Sequence, residues 1–144
     1  MSDAIKHECG IALLKLKKPL DFYLKKYGTA LYGLNKMYLL MEKQHNRGQD
    51  GAGLANIKFD VEPGTRYISR YRSVKNQPIK DIFSYINKRF VTLHEDAPEK
   101  LNDVKYLKAN EAFTGELFLG HLRYGTFGKN KKENCHPFLR QNNW

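Results

Sequence analysis

Immediately after Cys9 the chain runs Gly10-Ile11-Ala12-Leu13-Leu14 and is then closed by Lys15-Leu16-Lys17-Lys18-Pro19. An apolar run this short, ended by lysines and a proline, falls short of an average helix and reads as a short buried strand. A strand needs partners for its backbone N–H and C=O groups, so the fold must bring other strands to this one. The same reading sets Cys9 at the strand mouth, exposed at a sheet edge. Free cysteine usually behaves as a small buried hydrophobe. Two later stretches, Arg47-Gly48-Gln49-Asp50-Gly51-Ala52-Gly53 and Gly120-His121-Leu122-Arg123-Tyr124-Gly125-Thr126, make Cys9 a candidate nucleophile instead.

A chain of 144 residues can hold one real core, so one domain is expected. Cys9 and Cys135 are too few for a disulfide framework, and no apolar stretch approaches the roughly 20 residues of a membrane span. The segment before Cys9 lacks the apolar centre of a signal peptide, and a cytoplasmic protein follows as the expectation. A formal charge of +10 would suit nucleic acid. Lysines and arginines are scattered from Lys6 to Arg140, however, and no nucleic-acid-binding signature accompanies them. Neither nucleic acid nor membrane is an expected partner.

Along residues 20–44 the apolar positions Phe22, Tyr23, Tyr27, Leu31, Leu34, Met37, Tyr38 and Met41 recur at spacings of three and four, which predicts an amphipathic helix. Asp21 is a candidate cap, and Gly28 and Gly33 are candidate breaks. Residues 51–57 read as a strand with small residues where another backbone approaches. Glu62-Pro63-Gly64-Thr65 is a turn signal that joins it in a hairpin to a strand at 67–74. Residues 78–90 and 99–110 look helical, broken at Asp96-Ala97-Pro98, and read as a surface insertion or an elaborated helix pair. Residues 117–124 read as a buried strand running into a loop, and an arginine at the end of such a strand must find an anion. Cys135, His136 and His121 invite a metal reading, but three residues with no paired-cysteine motif support zinc poorly, and no metal site is assigned.

Cys9-Gly10-Ile11 near the start, Arg47-Gly48-Gln49-Asp50-Gly51-Ala52-Gly53, and then Gly120-His121-Leu122-Arg123-Tyr124-Gly125-Thr126 together resemble the glutaminase domain of class II glutamine amidotransferases. Gln49 and Tyr124 make the resemblance strongest to the amidophosphoribosyltransferases of purine biosynthesis. The resemblance runs from about Glu8 to Phe138. It implies an α+β fold of the N-terminal-nucleophile hydrolase type, in which two antiparallel sheets lie between helix layers. It also implies a cysteine that attacks the side-chain amide of glutamine and releases ammonia to a second domain.

Residue by residue, the resemblance makes Cys9 catalytic and Arg123, Tyr124, Gly125 and Thr126 substrate-binding. The planar fork of Arg123 suits the α-carboxylate of glutamine. Arg47 and Asp50 would form a charged brace beside the nucleophile strand. Residues 1–8 would be a propeptide cleaved after Glu8, leaving 9–144 as the glutaminase part. Cleavage matters because a lone cysteine thiol titrates near about 8.5 and needs a base, which an α-amino group titrating near about 7.7–8.0 supplies from the same residue. Two positions depart from the pattern. Asn46 stands where histidine usually precedes the arginine, and Gly125 stands where serine or proline is common.

The family's asparagine-glycine oxyanion pair does not occur in this sequence, nor does a phosphoribosyltransferase domain. The chain therefore reads as the first part of a larger enzyme, cut inside its glutaminase domain and inactive alone. No cofactor is expected in this chain; phosphoribosyl pyrophosphate and magnesium would belong to the other domain, and the full-length protein would be a homo-oligomer. Two alternatives remain open: a class II amidotransferase with another acceptor, and a noncatalytic regulatory domain of the same fold.

Overall fold

The computed structural model describes residues 8–125 and 130–140. Within them a four-stranded antiparallel sheet is built from β1 (Gly10–Lys15), β2 (Gly51–Ile57), β3 (Ile68–Ser73) and β4 (Leu117–Arg123), in the order β1-β4-β2-β3. The helices are α1 (Leu20–Tyr27), α2 (Tyr32–Glu42), α3 (Pro78–Asp96) and α4 (Val104–Asn110). This is an α+β domain. The last strand in sequence lies inside the sheet, paired with both β1 and β2.

The period of two along each strand divides the sheet into two unlike faces. On one face Ala12, Leu54, Phe118 and Leu122 are buried, with α2 packed against β1 and β4 and α3 against β2 and β3. Met37 and Met41 of α2 are fully buried on this face, close against Gly120. On the other face Ile11 and Leu13 are 65% and 66% exposed. The strand expected to be buried is therefore an edge strand covered on one side only, and its alternating exposure follows from that.

The periodic stretch at 20–44 forms two helices. Gly28 ends the first with φ of 75°, a left-handed conformation that glycine adopts without penalty. Gly33 does not break the second; it lies in the first turn of α2, close against Phe118 and Leu16. Pro19 occupies the N-cap of α1, and Asp21 stands in the first turn, where its charge complements the helix dipole.

Residues 78–110 form a helix pair, one of the two sequence readings, and correct the other, a surface insertion. Helix α3 runs to Asp96, and Ile79, Ile82, Phe83, Ile86, Phe90 and Leu93 along it belong to the main core. It is structural rather than a surface insertion. The expected hairpin is present, with Ala52 opposite Ser73 and Ile57 opposite Ile68.

Residues 135–138 cross the face opposite the helices. A Cβ built on Gly53 would lie 1.9 Å from the His136 carbonyl oxygen, whereas one on Gly120 would meet the ends of Met41 at 2.8 Å and Met37 at 3.0 Å. Flexible thioethers can move aside; a backbone carbonyl cannot without the segment lifting. Gly53→Ala is therefore expected to destabilise the domain by about 1–3 kcal/mol, and Gly120→Ala by less. Denaturant unfolding of the two variants checks the order, and equal losses would contradict this account of the segment.

Candidate active site

The chemistry-bearing residues gather where β1 begins and β4 ends. Cys9 stands just ahead of β1, and the pairing of Gly10 with Leu122 carries it to the exit of β4. There the Tyr124 N–H donates to Cys9 Sγ at 3.4 Å, and the thiol lies 3.9 Å from the Tyr124 carbonyl oxygen as its own acceptor. Cys9 is exposed, so the sulfur is open to a reactant while resting on a backbone donor.

The 47–51 turn explains how β4 is held at this point. A Cβ on Gly48 would fall 2.6 Å from the backbone carbon of Arg123, so only glycine lets the turn approach this closely. Asp50 then fastens the strand exit on two sides. Its own N–H donates to the Arg123 carbonyl at 3.1 Å, and its carboxylate Oδ2 accepts from the Gly125 N–H at 2.7 Å. Gly51 follows immediately as the register partner of Arg123. Arg47 is exposed and flanks β1, with its Cβ 3.4 Å from where a Cβ on Gly10 would stand.

Arg123 is 7% exposed and donates from Nη1 to Asn130 Oδ1 at 3.2 Å. It also bonds the thiol of Cys135, which is fully buried over Gly51. Burial pushes that thiol up from its ordinary value, against the opposing pull of the Arg123 and Arg72 guanidinium groups. His121 lies two residues before Arg123 on the same face, with its ring centroid 4.9 Å from that of His136. Burial lowers the His121 pKa, and His136 and Arg123 lower it further.

Of the residues expected at a site, Cys9, Asp50, Arg123, Tyr124 and Gly125 come together, and Arg47 stands beside them. Arg47 and Asp50 do not act as one charged brace. They form no ion pair, because the Asp50 carboxylate is turned to Gly125 while Arg47 packs near Gly10. Tyr124 meets Cys9 through its backbone, a contact that its residue type does not announce. Glu8 is exposed next to Cys9. Thr126 lies outside the described residues, as do residues 1–7 of the expected propeptide.

Two neighbours of Arg123 escape sequence reasoning. Asn130 sits in a lysine-rich loop with nothing to single it out, and Cys135 had drawn attention only as a metal ligand. No group of three or more His, Cys, Asp or Glu that could hold a metal ion occurs among the described residues. A cavity of about 850 Å³ lies at the other end of the sheet, between Lys15, Phe59, Asp103 and Glu116. No described helix is long and apolar enough to cross a membrane. The chain matches no protein-family model, no curated protein and no solved structure.

The Asp50 clamp makes a local prediction. Asp50→Ala removes the acceptor of the Gly125 N–H and is expected to speed hydrogen exchange at that amide by roughly tenfold, a loss of about 1.5 kcal/mol at a charge-assisted bond. Asp50→Asn keeps an acceptor oxygen and should preserve most of the protection. Amide exchange read by NMR decides between them, and unchanged protection in Asp50→Ala would show that the bond does not hold the loop.

Proposed function

We propose that the chain carries the glutamine-hydrolysing site of a class II glutamine amidotransferase of the amidophosphoribosyltransferase kind. The observation that carries the reading is the meeting of Cys9 Sγ with the Tyr124 N–H at 3.4 Å, beside a buried Arg123 and an Asp50-clamped loop. Three separated motifs of the sequence converge there on one sheet end. Their resemblance to a family in which these positions bind and cleave glutamine supplies the substrate.

In this reading the glutamine α-carboxylate is gripped by Arg123, whose guanidinium can offer two parallel donors. The Cys9 thiolate attacks the side-chain amide carbon, the carbon–nitrogen bond breaks, and ammonia leaves with a proton. Water then cleaves the thioester to glutamate and restores the thiol. The base for the first step is the α-amino group of Cys9, present once the bond to Glu8 is cut. The Tyr124 N–H is already directed at the sulfur. The released ammonia goes to phosphoribosyl pyrophosphate, bound with magnesium by another domain. The fold becomes the N-terminal-nucleophile hydrolase arrangement when a second sheet covers the face that exposes Ile11 and Leu13.

A diazo ketone analogue of glutamine tests the assignment on protein beginning at Cys9. A single adduct on Cys9 is expected, absent in Cys9→Ala and formed roughly tenfold more slowly in Arg123→Lys, which loses the bidentate contact. Labelling on Cys135, or labelling that persists in Cys9→Ala, would overturn the reading.

A further inference from the structure

Among the described residues one buried side-chain polar atom has no hydrogen-bond partner, and it is Nδ1 of His121. Such a group is expensive to bury, and a charged imidazole there would be far more so. His121 projects from β4 onto the face crossed by residues 135–138 and meets the ring of His136, which in turn lies tilted against Phe138 with ring centroids 4.1 Å apart. The segment rests on this pair and on carbonyl contacts. Arg72 Nη1 donates to the Cys135 carbonyl at 2.9 Å, and Arg70 Nη1 to the Pro137 carbonyl at 3.3 Å.

The surroundings determine what protonation would do. From β1 the side chain opposite His121 is Ile11, and from β2 it is Gly53, so neither strand offers a charge. From β3 come the cations Arg70 and Arg72, and from β4 itself Arg123. The segment contributes Cys135 and His136, with Glu133 exposed at its start. The Asp50 carboxylate at the sheet end is bonded to Gly125. A proton on His121 thus adds a cation beside Arg123, at a ring whose buried Nδ1 has no hydrogen-bond partner.

We propose that neutral His121, resting against the His136 ring, is a pH-operated latch that docks residues 130–138 on the sheet and thereby positions Arg123 through Asn130. The sign follows from the direction of the His121 shift. The undocked histidine binds a proton at its ordinary value near about 6.5, whereas the docked one resists, so docking is complete above that value and is lost as pH falls below it. Opening frees Cys135, which the segment carries fully buried over Gly51, and removes the Asn130 partner of Arg123. The latch does not require that Arg123 bind glutamine. Its bearing on catalysis rests on the function proposed above; its existence does not.

The test uses Cys135 as the reporter in the full chain with Cys9→Ser. Its reaction with 4,4′-dithiodipyridine, a disulfide that still accepts thiols in acid, is compared at about pH 7.5 and about pH 5, each rate divided by that of the unfolded chain. Docking predicts protection at the higher pH and a normalised rate at least about tenfold greater at the lower, with the far-UV circular dichroism of the sheet and helices retained. In His121→Gln, which cannot be charged, the acid response should vanish. Equal protection at both pH values overturns the latch, as does an undiminished acid response in His121→Gln. Loss of the whole fold at the lower pH would also overturn it. Should His121→Gln fail to fold, the His121 titration of the parent chain by NMR decides, because an ordinary titration with Cys135 still protected refutes the proposal.

Discussion

The antiparallel register that fixes β4 between β1 and β2 is the constraint on which the rest depends. Gly10 opposite Leu122 and Gly51 opposite Arg123 bring the start of two strands and the end of a third to one place. Because successive side chains alternate, a slip of one residue would send Arg123 and His121 into the helix-covered core and expose Leu122 and Phe118. Burial of the latter two at 0% and 2% therefore holds the site residues on the opposite face. Packing on one side of the sheet aims the chemistry on the other.

The two ends of the sheet are held by different means. At the end remote from Cys9 the connections are closed by buried polar groups. Asn56 Nδ2 donates to the Leu117 carbonyl at 3.0 Å while its Oδ1 accepts from the Gly115 N–H at 2.8 Å. Glu116 accepts from the Phe59 N–H at 2.8 Å and from Lys108 Nζ at 2.5 Å. Lys58 donates to the Lys108 carbonyl at 2.7 Å, and burial lowers its pKa. A network this enclosed tolerates little loss, since each unmatched member would be left buried without water. The other end carries the exposed thiol of Cys9.

Glycine serves the site by omission. At Gly48 and Gly53 the absent Cβ admits a backbone, that of Arg123 in one case and of His136 in the other. These approaches replace side-chain packing with main-chain contacts, which position atoms closely but leave few apolar neighbours. The 130–140 segment accordingly depends on arginine-to-carbonyl bonds and on two histidine rings, and has only a short turn, Lys132–Asn134, as regular structure of its own.

The sequence by itself determined the strands after Cys9 and before Tyr124, the hairpin turn at Glu62–Thr65 and the helical periodicity of 20–44. These are local matters of alternation, of the 3.6-residue period and of glycine and proline chemistry. It also marked Cys9, Asp50 and Arg123, through the resemblance of three separated motifs to one family and, for Arg123, through a charge at the end of a buried strand. Tertiary structure alone decided that β1 is an edge, that α3 is core rather than insertion, and that Arg47 and Asp50 act separately. The same holds for Asn130, Cys135 and the orphaned Nδ1 of His121. Each depends on how the chain returns to the sheet or on which face of the sheet is covered, and neither sheet order nor the course of a loop leaves a periodic trace in the chain.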